Sequence, residues 1–141
     1  MKSIQEVQEE IVSEFEVYDD WMDKYNYLIE LGKSLPLIDE KYKTDQYIIS
    51  GCQSKVWLHA AFREGVVIFT ADSDAIITKG IITILIRVLS HHTPDEIISS
   101  NMDFVDQIGL KEHLSPTRSN GLTSMIKQMK LYAIAFKMKT E

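Results

Sequence analysis

One cysteine, Cys52, in 141 residues excludes an internal disulfide, a Cys-x-x-Cys redox pair and any multi-thiolate metal site. Histidine is also sparse. His59, His91, His92 and His113 show neither the His-x-x-x-His nor the His-Glu-x-x-His spacing that turns two ligands onto one helical face. No metal and no cofactor is therefore expected. A net charge of −6 argues against nucleic acid, whose phosphates require clustered lysine and arginine. The longest apolar stretch, Ala75 to Leu89, is interrupted by Lys79 and Arg87. It falls short of the roughly 20 apolar residues of a membrane helix, so a buried helix is expected. The first ten residues are too acidic and polar for a signal or transit peptide. Repeats, low-complexity runs and linkers are missing too, which leaves one cytoplasmic domain over residues 1–141 as the expectation.

What is present supports a core: 45% of the residues are hydrophobic. Ile4, Val7, Ile11, Phe15 and Tyr18 recur at helical spacing, and the glutamates between them, Glu6, Glu9, Glu10 and Glu14, predict a water-facing acidic side. Asp19 or Asp20 can cap a second helix carrying Trp21, Tyr25, Leu28 and Ile29, with Gly32 as its stop. Leu35 to Lys43 reads as loop. Tyr47-Ile48-Ile49 predicts a short strand; Val56 to Arg63 alternates as a strand does, and Glu64-Gly65 turns the chain into a returning strand, Val66 to Thr70. Ser73 or Asp74 is the expected cap of the Ala75–Leu89 helix. Thr93-Pro94-Asp95-Glu96 and Ser115-Pro116 mark two further helix starts, the second opening a long amphipathic helix through Phe136. The order helices, strands, helices predicts an α+β domain: a small, mostly antiparallel three-stranded sheet covered by helices. Charge is uneven along it. Residues 1–40 hold 11 acidic and 3 basic side chains, and residues 111–141 hold 2 and 6. Solvated helix faces account for this more simply than a steering surface does.

Cys52 lies between Gly51 and Gln53-Ser54, where one predicted strand ends and the next begins. Gly51 lets the backbone adopt a conformation closed to other residues, and Gln53 and Ser54 place polar groups beside the sulfur. A thiol at such a bend can be presented to a partner. A lone cysteine is also commonly an inert, buried small hydrophobe, and local sequence leaves both readings open.

Three blocks decide between them. Gly51-Cys52-Gln53-Ser54-Lys55-Val56-Trp57 resembles the signature of the SufE family, sulfur acceptors that work with SufS-type cysteine desulfurases. Asp72 to Gly80 resembles the family's block after the hairpin, and Leu114 to Leu122 its C-terminal block. The resemblance implies a SufE/IscU-like fold. It also implies a carrier that is not an enzyme on its own: Cys52 would take persulfide sulfur from a SufS-type cysteine desulfurase, stimulate it, and pass sulfur to a SufBCD-type iron–sulfur scaffold. A monomer or weak homodimer is expected. The three cysteines of an IscU-type scaffold are lacking, and one thiol cannot hold a cluster that typically needs four cysteine ligands.

Arg118 stands in the first turn of its predicted helix, where the macrodipole disfavours a cation; the resemblance implies that it anchors the cysteine loop or meets the partner. Asp74 reads first as a helix cap, and by its block also as a group that tunes the loop. Trp57 reads as core or as a wall of a pocket around the thiol. Gly80 and Gly121, inside helices, mark close packing. His59 is too far along the strand from Cys52, ~23 Å for seven extended residues, to pair with it directly. Two other readings remain: a cysteine-nucleophile hydrolase with His91, His92 or His113 as base, and an interaction module in which Cys52 is structural.

Overall fold

A computed structural model describes residues 2–52 and 54–140. Helix α1 (Ile4–Glu16) starts at Ser3, whose hydroxyl accepts from the Glu6 amide while the Glu6 carboxylate accepts from the Ser3 amide, a reciprocal pair that satisfies two free helix-end donors. Helix α2 (Trp21–Gly32) is capped by Asp20, whose carboxylate takes the Met22 and Asp23 amides. Ile4, Val7, Ile11 and Phe15 face the core as their spacing requires.

The predicted water-facing side of α1 holds for Glu6 and Glu9 but not for Glu14. Glu14 grips Arg87 through both oxygens, at 2.8 and 2.5 Å, and accepts the Tyr27 hydroxyl. The Arg87 bond holds the Glu14 carboxyl below its usual range despite partial burial. Burial, reinforced by Glu14, pushes Tyr27 up to about 12. The partner of Glu14 is 73 residues away, beyond the reach of local periodicity.

Strands β1 (Val56–Arg63) and β2 (Val66–Ser73) form an antiparallel hairpin in which Arg63 faces Val66. Glu64 and Gly65 both take positive φ, 52° and 83°, the signature of a two-residue turn whose twist suits the strands. The expected third strand does not form. Asp45–Tyr47 winds into a 3-10 turn, and among the described residues the sheet edges carry isolated bridges, Ile48 to Trp57 on β1 and Leu37 to Ala71 and His92 to Val67 on β2. The three-residue run Tyr47-Ile48-Ile49 is too short to pair further, and these irregular segments cover edges that would otherwise expose free backbone groups. The architecture is thus α+β with helices covering a two-stranded sheet.

Helix α3 (Ile76–Leu89) runs through the centre, with ten of its residues buried. It crosses α2 where Gly32 meets Gly80: a Cβ on Gly80 would lie 2.3 Å from the Leu28 carbonyl oxygen. Only glycine allows backbones this close. The expected cap is corrected. The residue at the N-cap is Ala75, with no side-chain cap, and Ser73 and Asp74 turn instead toward Lys55. Helix α4 (Pro94–Ser99) carries the predicted start, with Thr93 and Glu96 as a reciprocal pair. Two single-turn helices not foreseen, α5 (Phe104–Gln107) and α6 (Leu110–His113), lead to α7 (Pro116–Thr140), the long C-terminal helix. Leu122, Met125, Met129 and Ala133 of α7 are buried in the core.

Candidate functional site

The loop carrying Cys52 is tied at its two ends and lies across α7 between them. On one side the Ile49 amide bonds the Val56 carbonyl at 2.9 Å, and Ile49 is buried. On the other, Lys55 is held three ways: the Asp74 carboxylate accepts its amide at 3.1 Å, the Ser73 hydroxyl donates to its carbonyl at 2.8 Å, and the Asp74 amide bonds the same carbonyl at 3.3 Å. Asp72, one residue earlier, pairs with Lys43 at 3.1 Å and Lys79 at 3.3 Å. Burial of Asp72 opposes ionisation, but the Ser73 amide and these lysines outweigh it and hold the carboxyl down. Ser73 and Asp74 therefore tether the cysteine loop at Lys55, while Asp72 binds Lys43 and Lys79 beside it.

Gly51 takes φ +91°, closed to residues with a side chain, and sits so near α7 that a Cβ would lie 2.5 Å from the Ser124 oxygen. This bend turns Cys52 toward the helix. Its sulfur lies 3.7 Å from the Gly121 carbonyl, which accepts the S–H, and a Cβ on Gly121 would lie 3.4 Å from it. The thiol is half-buried, and burial pushes its pKa up. Since the thiolate is the nucleophile, the sulfur is held here in its less reactive form.

Beside the sulfur opens a small cleft of about 60 Å³, walled by Ser54, Thr78, Ile81, Thr117, Arg118, Gly121 and Met125. Arg118 is exposed, on the first turn of α7 as expected, where its amide bonds the Ser115 hydroxyl at 3.3 Å. Its guanidinium has no carboxylate partner among the described residues. The structure thus brings together Gly51, Cys52, Ser54 and Arg118, with Asp74 at the loop's base. Trp57 is not part of this wall: it is half-buried, with the Lys43 ammonium 4.9 Å from its ring. Gln53 lies outside the described residues. No histidine lines the cleft. His59 stacks on Tyr42 at 3.8 Å, His113 on Trp21 at 4.0 Å, and buried His92 faces Glu96 at 3.6 Å. The hydrolase reading finds no base at the thiol. Among the described residues there is no cluster able to hold a metal, and no helix long and apolar enough to cross a membrane.

Sequence reasoning passed over Thr78, Thr117 and Met125 as site residues. One signal was available: Thr117, Gly121 and Met125 fall at i, i+4 and i+8 of α7, a single stripe with glycine at its middle.

The same layering of helices on a small sheet is found in a solved structure from Thermus thermophilus, at a TM-score of 0.76 over 92% of this chain and 94% of that one, with 18% identity. Sequence comparison then settles the family. The SufE model, described as an Fe-S metabolism associated domain, matches residues 9–133, and the chain belongs to the SufE family. A SufE-like protein of Rhizobium meliloti is 39% identical over 127 residues, covering 86% of this chain and 91% of that protein. SufE-like protein 1, chloroplastic/mitochondrial, of Arabidopsis thaliana is 38% identical over 134 residues. That match covers 94% of this chain but only 36% of the plant protein's length.

Proposed function

We propose that Cys52 accepts sulfur from a SufS-type cysteine desulfurase and passes it to an iron–sulfur scaffold of the SufBCD type, and that the chain stimulates the desulfurase without being an enzyme on its own. The observation that carries this reading is a lone thiol on a glycine-built bend, held in a shallow seat and tethered at the base of its loop, in a chain of the SufE family. The step needs one nucleophile. The Cys52 thiolate attacks the outer sulfur of the desulfurase persulfide; a new S–S bond forms at Cys52, and the donor's S–S bond breaks, returning its thiolate. An ordinary cysteine, with a pKa near 8.5, is less than about one-tenth thiolate at neutral pH. Burial lowers that fraction for Cys52, so the docked partner must draw the loop off α7 or supply positive charge. Arg118, at the cleft and without a carboxylate partner among the described residues, would serve the sulfur anion or a carboxylate of the desulfurase in this reading.

Incubation with a SufS-type desulfurase and cysteine is expected to add about 32 Da, removable by reductant, at Cys52. Cys52→Ser should still bind the desulfurase but no longer accelerate sulfide release from cysteine. Acceleration equal to that of the unsubstituted chain would end the carrier reading.

A further inference from the structure

The cleft beside Cys52 offers more hydrogen-bond donors than the protein uses. Thr78 is 5% exposed, lines the cleft, and has no side-chain partner among the described residues. Since no fully enclosed side-chain polar atom lacks a partner, its hydroxyl opens onto the cleft. A hydroxyl that meets no protein acceptor there is left to water or to a group bound in the cleft. Ser54 and Thr117 add two more hydroxyls, and Arg118 adds a guanidinium without a counter-ion among the described residues. Thr117 and Arg118 also lie in the first turn of α7, a 25-residue helix whose dipole places partial positive charge at this end, although the Arg118 amide itself is taken by the Ser115 hydroxyl. Among the described residues no acidic side chain lines the cleft. Donors, a cation and a helix start without any carboxylate describe a site for an anion.

Size and chemistry narrow the occupant. About 60 Å³ admits only a few heavy atoms, against the roughly 300–1,000 Å³ of pockets for drug-sized ligands. The reacting sulfur forms part of the wall, so the anion that makes chemical use of this place is a small one carrying a transferable sulfur. We propose that the cleft is a subsite for a sulfur oxoanion of the thiosulfate class, from which Cys52 takes sulfur without a protein donor. The Cys52 thiolate attacks the outer, sulfane sulfur. The bond from that sulfur to the sulfonate sulfur breaks, and its electron pair leaves with sulfite; the thiol proton goes to solvent. Cys52 gains one sulfur as a persulfide, and no further oxidant or reductant is consumed. Thr78 and Arg118 hold the sulfonate oxygens and carry the charge that leaves with sulfite. This inference rests on the reading of Cys52 as a sulfur acceptor and adds a second class of donor to it.

The test uses the full chain and thiosulfate alone, with a parallel sample given a SufS-type desulfurase and cysteine. Thiosulfate should add about 32 Da at Cys52 with one equivalent of sulfite released, at a rate that saturates with thiosulfate and is inhibited by sulfate. Thr78→Val, which keeps the shape and removes the hydroxyl, and Arg118→Ala should each slow this loading about tenfold or more, relative to alkylation by neutral iodoacetamide. Loading that is absent, that never saturates, or that runs as fast in both variants overturns the subsite. Loading by the desulfurase but not by thiosulfate sinks this inference alone. Loading by thiosulfate but not by the desulfurase upholds the subsite and removes the proposed partner. Loading by neither removes both.

Discussion

The crossing of α2 and α3 and the seat of Cys52 on α7 both depend on a helical glycine, and the two glycines do different work. At Gly80 an added Cβ would run into backbone, the Leu28 carbonyl at 2.3 Å, and backbone cannot step aside without moving a helix. At Gly121 the nearest atom is the Cys52 sulfur at 3.4 Å, at the tip of a loop held mainly at its ends. The first glycine sets how close two core helices lie; the second sets where the thiol rests. Buried isoleucines and the Glu14–Arg87 bond pack around α3, while the cysteine loop rests against the surface of α7.

Gly80→Ala is the strongest way to break this contrast. The gain in helix propensity, about 1 kcal/mol, is outweighed by overpacking against backbone, and a net loss of about 2 kcal/mol or more is expected. Thermal denaturation should show a fall in Tm of about 5 °C or more; an unchanged Tm would mean that the helices separate freely.

Glu14→Gln tests the α3 side more gently. With Arg87 34% exposed, solvent screens the pair, and about 1 kcal/mol is the expected cost in urea denaturation. In the unsubstituted chain the Glu14 carboxyl titrates below its unfolded value, so its contribution is present at neutral pH and is lost as pH falls through the lowered folded pKa. The variant should lack that acid-side loss. Its Tyr27 should ionise below about 12 yet still above 10, because burial is the larger cause of the shift. A Tyr27 titration left in place would show that Glu14 does not act on it.

Gly121→Ala should scarcely move stability, within about 0.5 kcal/mol, since a helix gain of about 1 kcal/mol offsets the disturbed contact. Its effect belongs to the thiol. Iodoacetamide should react several-fold faster at neutral pH, and the midpoint of the rate against pH should fall from its raised position toward that of a free cysteine. For the unsubstituted chain, the raised thiol pKa means that the unfolded form ionises first, so stability declines as pH rises past the ordinary thiol value. An alkylation profile identical in both chains would show that Gly121 does not govern the seat.

Asp74 shows how a local pattern can point to the wrong partner. An acidic residue ahead of an apolar helix reads as a cap, and the cap pattern is local. Its carboxylate instead takes the amide of Lys55, nineteen residues earlier, because the hairpin brings Ser73 opposite Val56 and leaves Lys55 within reach. Trp57 reads equally well as core or as pocket wall, and only the direction of β1 places it beside Lys43 and away from the cleft. The missing strand has a similar origin. Tyr47-Ile48-Ile49 has the composition of a strand, but a strand needs several paired residues, and the 3-10 turn through Tyr47 leaves little beyond Ile48 and Ile49 to pair.

Short-range physics was legible in the chain itself. Periodicity located α1 and α7, the length of an apolar run located α3, caps located the starts of α2 and α4, Glu64-Gly65 located the hairpin, and three blocks carried the family. A helix turn, a cap or a hairpin involves neighbours within a few residues, so its energy is written into adjacent letters. The state of the one thiol was decided only in three dimensions. The carbonyl it bonds lies 69 residues away, and its pKa rises because distant elements close around it. Burial and contact across such separations follow from how α7 packs beside the hairpin and α3, which no local stretch of sequence contains.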